Sequence, residues 1–155
     1  MKAIRPLSFL LGAGLLMFSN LAGAQSLPDG PGKATFESVC SLCHTVAGPA
    51  GKQFTKPQWE SKVIEMLQEE QDVTAEERSA ILEYLTATFK PGGKIYVNII
   101  AEKDLQNLLE ISAKDAEAIV RYREQRGVFK STDDIKKIPG LDATKIDAKK
   151  DRLAF

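Results

Sequence analysis

Apolar positions recur at helical spacing along most of this chain, and Pro/Gly-rich breaks divide the pattern into short elements. From Lys33 to about Cys43, Phe36, Val39, Cys40 and Cys43 share one helical face. Pro57 suits the opening of a second helix, whose inner stripe is Trp59, Val63, Met66 and Leu67. Thr74-Ala75-Glu76-Glu77 has the form of a capping box and predicts a third helix that buries Ile81, Leu82 and Leu85. After a short extended entry from Ile95 to Ile99, the pattern predicts helices near Glu102–Leu109, Ala113–Arg126, Thr132–Ile138 and Asp142–Lys150. Gly127 is a suitable stop for the longest of these, with Arg123 and Arg126 placed to favour its negative end. No apolar alternation is long enough to build a sheet, so the expected fold class is all-α.

The breaks imply an order of segments. Residues 1–24 read as a signal peptide. Lys2 and Arg5 precede a charge-free apolar run from Leu7 to Phe18, and Ala22-Gly23-Ala24 has the small-x-small form of a cleavage site. A membrane anchor or a buried helix are the other readings of that run, which is short against the roughly 20 apolar residues of a span. Export to a periplasm is the expectation, with no membrane span once the leader is cleaved. Residues 25–33 are a Pro/Gly-rich linker, and Lys90-Pro91-Gly92-Gly93-Lys94 is a second break. Between them lies a first unit, residues 34–91, and beyond them a second, residues 92–155.

Charge supports that division. Of the 155 residues, 21 are basic and 21 acidic, so no overall field draws in nucleic acid or anionic lipid. From 25 to 91 there are 6 basic and 10 acidic residues, net −4; from 92 to 155 there are 13 and 11, net +2. Two cysteines are too few for a disulfide framework, and the lone histidine, His44, excludes any site that needs two.

Those scarce residues fall together in Cys40-Ser41-Leu42-Cys43-His44, a C-x-x-C-H sequence of the kind that attaches c-type haem. Two sulfurs three residues apart can reach two vinyl groups on one porphyrin edge, with the following imidazole beneath the iron. The expectation is one covalently attached haem c per chain, bound through Cys40 and Cys43, with His44 as proximal iron ligand. A thioredoxin-type dithiol, a zinc site and a plain disulfide are the alternatives; the first wants a βαβ setting and the second two more ligands. With the leader removed, Met66 is the sole methionine and the candidate distal ligand, although a core position or an open, water-ligated iron fits the same pattern. A carbonyl of the Gly48-Pro49 loop could orient His44. Trp59 and Tyr84 could each donate to a propionate or simply fill core.

With these motifs, residues 31–91 resemble a small class I cytochrome c, nearest in spacing to the compact modules that accompany periplasmic quinoprotein dehydrogenases. The resemblance implies a one-electron carrier or relay rather than an enzyme. Its partners would be redox proteins, such as a quinoprotein dehydrogenase or a terminal acceptor.

The second unit carries Val97-Asn98-Ile99, Ala116-x-x-Ile119-x-x-Tyr122-Arg123, Gly127-x-Phe129-Lys130-Ser131, Ile138-Pro139-Gly140-Leu141 and Lys150-Asp151-Arg152-Leu153. In these it resembles the helix-hairpin-helix domains of the ComEA type. That resemblance implies binding of duplex DNA through hairpins of the form h-P-G-h-G, whose backbone amides face phosphate oxygens. The sequence departs from the form in both hairpins. Leu109-Glu110-Ile111-Ser112 lacks both glycines, and Asp142 replaces the second glycine after Gly140. Arg121, Arg123, Arg126, Lys130, Lys136 and Lys137 form a candidate basic patch, with a solvated helical face as the alternative. A docking role for this unit is the main expectation, and an exported DNA-binding or DNA-uptake protein with an accessory haem is the alternative. A haem sensor with an open iron is a third reading.

Overall fold

The computed structural model of the chain describes residues 26–43, 45–68 and 72–155. The expected leader, His44 and residues 69–71 lie outside them. Among the described residues, seven α-helices, two 3-10 turns and one pair of two-residue strands make up the regular structure, so the fold is mostly helical as the periodicity predicts.

Helix α1 (Lys33–Cys40) is followed by a 3-10 turn at Gly48–Gly51, then α2 (Lys56–Leu67) and α3 (Ala75–Thr88). The sequence predicts α1 continuing to Cys43, but its last backbone bond runs from the Ser41 amide to the Glu37 carbonyl. The reason is lack of cover: Leu42 is 78% exposed, so another helical turn would bury nothing. Both following helices begin with reciprocal caps. Thr55 pairs with Gln58, and Thr74 with Glu77, each side chain satisfying the other's otherwise unpaired amide. Helices α1 and α2 both pack on α3, burying Phe36, Trp59, Val63, Leu67, Ile81 and Leu85. Leu82, expected in that core, is only partly buried.

The second unit opens with β1 (Ile95–Tyr96) and continues through α4 (Glu102–Leu109), α5 (Ala113–Arg126), α6 (Thr132–Lys136) and α7 (Ala143–Ala148). It closes with a 3-10 turn at Lys150–Arg152 and β2 (Leu153–Ala154). Helices α4 and α5 match the residues that periodicity assigns them; α6 and α7 are shorter by two residues or more. The α4–α5 and α6–α7 pairs are two helical hairpins in tandem. Strand β2 returns to lie parallel to β1, with Ile95 opposite Leu153 and Tyr96 opposite Ala154. A parallel pair needs a long crossover, and here all four helices form it.

Asn98 is 8% exposed and closes the start of the unit onto the α5–α6 connection. Its Nδ2 donates to the Phe129 carbonyl and its Oδ1 accepts from the Phe129 amide, both at 2.9 Å. Arg123 donates to the carbonyls of Val97 and Ile100 at 2.7 and 2.8 Å. Its guanidinium is thus committed to the turn after β1, and burial lowers its pKa.

The buried side chains form one contiguous cluster running through both units. Rings follow one another from Phe36 to Tyr84, Phe89 and Tyr96, with centroids 5.3, 5.8 and 5.7 Å apart. A polar seam runs alongside. Lys52 Nζ meets the Asp104 carboxylate at 2.6 Å, Gln53 Nε2 donates to the Gly93 and Lys94 carbonyls, and Arg152 donates to Gln53 Oε1 and the Gly93 carbonyl. Gly51 permits this approach: a Cβ there would sit 2.1 Å from Asp104 Oδ2 and 2.6 Å from Asp104 Cβ.

Candidate functional site

Around the two cysteines, the residues singled out for haem face different partners. Cys40, the last residue of α1, is half-buried, and Cys43 is exposed in the turn that follows; both are free thiols. Burial, with Cys43 nearby, pushes the Cys40 thiol up. Met66 is 54% exposed on α2, off the buried stripe of Trp59, Val63 and Leu67. The Pro49 carbonyl accepts from the Lys52 amide. Trp59 donates its indole N–H to the Phe89 carbonyl at 3.0 Å, and Tyr84 its hydroxyl to the Pro28 carbonyl at 2.8 Å. Burial pushes the Tyr84 phenol well above its ordinary range. Both polar tips therefore brace backbone, one at the end of α3 and the other at the linker.

The expected haem c is corrected by these observations. Among the described residues no three His, Cys, Asp or Glu side chains come together as a metal-holding group. The spaces beside Cys40 and Met66 have volumes of about 150 and 30 Å³. Pockets that enclose a drug-sized organic ligand measure roughly 300–1,000 Å³. The described residues do not fit the group, and nothing in the structure supports the one-electron carrier role that required it. His44, the expected proximal ligand, lies outside the described residues.

The hairpins form the second candidate site, and they are related position by position. In α4–α5, Glu110 takes the left-handed conformation (φ 57°, ψ 39°), and Ser112 caps α5 by accepting from the Asp115 amide. In α6–α7, Gly140 has φ 78° and Asp142 caps α7 by accepting from the Thr144 amide at 3.0 Å. Glu110 and Gly140 occupy equivalent corners that demand positive φ. Glycine adopts that conformation freely, whereas Glu110 is the one non-glycine residue to do so among the described residues.

An ion pair holds that strained corner. Lys149 Nζ, just beyond α7, reaches the Glu110 carboxylate at 2.5 Å and so ties one hairpin to the other. The hydrogen bond and charge of Lys149 lower the Glu110 pKa. A lowered folded pKa means that this tie is fully present above the ordinary glutamate value and lost as pH falls through the lowered one. A carbon-detected NMR titration should therefore place the Glu110 midpoint below the ordinary glutamate value, and Lys149→Ala should bring it back towards that value. An unchanged midpoint in the variant would show that Lys149 is not its partner.

The expected basic patch is dispersed by pairing. Arg121 pairs with Glu117, Lys136 with Asp147 and Asp133, and Lys137 with Asp134, whose pKa is held at about 2 by those bonds. Arg123 is turned inward, as described above. Arg126 and Lys130 remain as exposed cations of that set. Three of these pairs stand at i,i+3 or i,i+4, a spacing visible in the sequence that a count of net charge overlooks; the Lys136–Asp147 pair joins two helices and is not visible there.

Comparison with known protein families places a match on the second unit. Residues 90–154 match the helix-hairpin-helix motif family. A protein of Haemophilus influenzae (strain Rd), described as an uncharacterized protein, is 33% identical over 63 residues. That stretch is 40% of this chain and 56% of the relative, so the match spans little more than half the length of the curated protein. No solved structure matches the chain.

Proposed function

We propose that this chain is a helix-hairpin-helix protein that holds the phosphate backbone of duplex DNA, without reading sequence, through its second hairpin. The observation that carries this reading is the α6–α7 corner, where Ile138-Pro139-Gly140-Leu141 retains the glycine at φ 78° within a unit matched to the helix-hairpin-helix family. Positive φ at Gly140 turns the chain sharply and leaves no side chain at the corner, so backbone can approach an anion. Lys136, Lys137, Lys145 and Lys149 lie in the elements flanking that corner. In this proposal the chain acts by binding rather than catalysis. It works outside the cytoplasm, consistent with the charge and apolar pattern of residues 1–24.

The first hairpin contributes less. Its corner carries Glu110, and that carboxylate engages Lys149, which would otherwise be available to phosphate. With most nearby cations internally paired, affinity should fall in the non-specific range, roughly 10⁻⁴ to 10⁻⁶ M at physiological salt. The same pairings favour docking to a protein surface as a second reading.

Mobility shift of a random-sequence duplex by the full chain separates the two. Two or three phosphate contacts predict a log–log salt slope of about −2 to −3. Glu110→Gly should raise affinity about 3- to 10-fold, by removing an anion and releasing Lys149. Lys145→Glu with Lys149→Glu should abolish the shift. A parent protein with no shift at low salt, and no gain from Glu110→Gly, would leave docking as the function.

A further inference from the structure

The two thiols beside the apolar hollow on the first unit are unused by DNA binding. Cys40 closes α1, and residues 41–43 form a turn. A turn brings Cα atoms three residues apart to within about 7 Å. A disulfide needs about 4.4–6.8 Å, so small adjustments in the turn allow the two sulfurs to bond. The turn is also shallowly anchored, with Leu42 at its tip turned to solvent. Val39, Leu42, Met66, Leu67 and Val73 line a hollow of about 150 Å³ against both cysteines. Exposure is unequal across the pair: Cys43 is open to an incoming reagent, and Cys40 is half-covered behind it. No third acidic, cysteine or histidine side chain joins them as a metal-holding group among the described residues.

We propose that Cys40 and Cys43 are a redox-active dithiol/disulfide pair that exchanges with disulfides of low molecular weight. Cys43 is the entry sulfur and Cys40 the resolving one. The Cys43 thiolate attacks one sulfur of a disulfide RS–SR, forming a Cys43–SR mixed disulfide and expelling RS⁻. The Cys40 thiolate then attacks the Cys43 sulfur, closing the Cys40–Cys43 bond and expelling the second RS⁻. The two electrons that leave the cysteines reduce RS–SR to two thiols, and the two thiol protons of the protein are taken up by those RS⁻ groups. The apolar hollow suits this sequence because it keeps the mixed disulfide beside Cys40. The closed ring would fix the turn at residues 41–43.

The test uses the full chain equilibrated with mixtures of reduced and oxidised glutathione, quenched in acid, labelled with a maleimide and weighed. The expected result is a two-state change from a doubly labelled chain to an unlabelled chain lighter by two hydrogens, reversed by dithiothreitol. Cys40→Ser should accumulate the glutathione mixed disulfide at Cys43, because nothing resolves it. Cys43→Ser should react with oxidised glutathione severalfold more slowly than Cys40→Ser. Double labelling at every glutathione ratio would overturn the proposal. So would equal reactivity of the two single variants, or a protein in which both sulfurs are already held in a covalent adduct with a non-protein group. Helical circular dichroism of each variant establishes that the thiols are compared in a folded chain, and mobility shift on duplex DNA should be the same in both redox states.

Discussion

Trp59→Ala is expected to destabilise the chain by about 3–5 kcal/mol, the range for deleting a large buried ring. Trp59 packs against Phe54 with ring centroids 4.9 Å apart and sits beside Val63 on the face of α2 that meets α3. Its indole N–H also supplies the partner for the Phe89 carbonyl, where α3 ends. Alanine leaves a void in a first unit with little apolar mass, and an acceptor without its donor. Trp59→Phe isolates the second effect: most of the ring is kept, and the cost should drop to about 1–2 kcal/mol. Urea denaturation followed by helical circular dichroism gives both values. If alanine and phenylalanine cost the same small amount, the ring is not the pivot of this unit.

Asn98→Ala should be the most damaging change in the second unit. The Asn98 amide makes both hydrogen bonds to the Phe129 backbone at a buried position. Its loss leaves a donor and an acceptor unpaired, each costing about 1–3 kcal/mol, so a total of about 2–6 kcal/mol follows. Exchange of the Phe129 amide should accelerate beyond the change in global stability, since Asn98 Oδ1 is its acceptor. Asn98→Asp adds a test of sign. A buried carboxylate facing the Phe129 carbonyl would have a raised pKa, so the aspartate variant should be more stable in acid and lose that stability as pH rises through the raised value. An aspartate variant indifferent to pH would place the residue at the surface.

The all-α class and the extents of α4 and α5 were legible because they depend on local pattern alone. Apolar spacing, Thr74 with Glu77 and the stop at Gly127 each act within a turn or two of their own position. The family of the second unit was legible as well, because Val97-Asn98-Ile99 and Ile138-Pro139-Gly140-Leu141 lie at corners where few residues serve. The misreading came from contacts distant in sequence. Arg123 looked like surface charge, since nothing in α5 reveals that the Val97 and Ile100 carbonyls lie beneath it. Trp59 and Tyr84 looked available to a bound group, whereas backbone carbonyls 30 and 56 residues away already occupy their polar tips. Met66 matched the buried stripe by period but sits at its edge, where a small angular offset decides between core and solvent. In C-x-x-C-H the spacing was correct and its consequence was not: three residue types in sequence cannot report the volume around them. Glu110 was recognised as a departure from the hairpin form, but its positive φ and its tie to Lys149 depend on a residue 39 positions away.

Gly51 and its neighbours at the seam have a thermodynamic consequence. Lys52, Gln53 and Arg152 join the two units through groups that neither unit can satisfy alone, and the buried cluster continues beneath them. Unfolding should therefore be a single cooperative event rather than two. Any ligand held by the second hairpin would then raise the melting temperature of α1–α3, which it never touches, by an amount that grows with the logarithm of ligand concentration above its dissociation constant. The coupling must also run in the opposite direction. Loosening the first unit at Gly51, where an added methyl would press on Asp104, should weaken apparent binding in the other half of the chain only near the melting temperature, where the folded fraction falls.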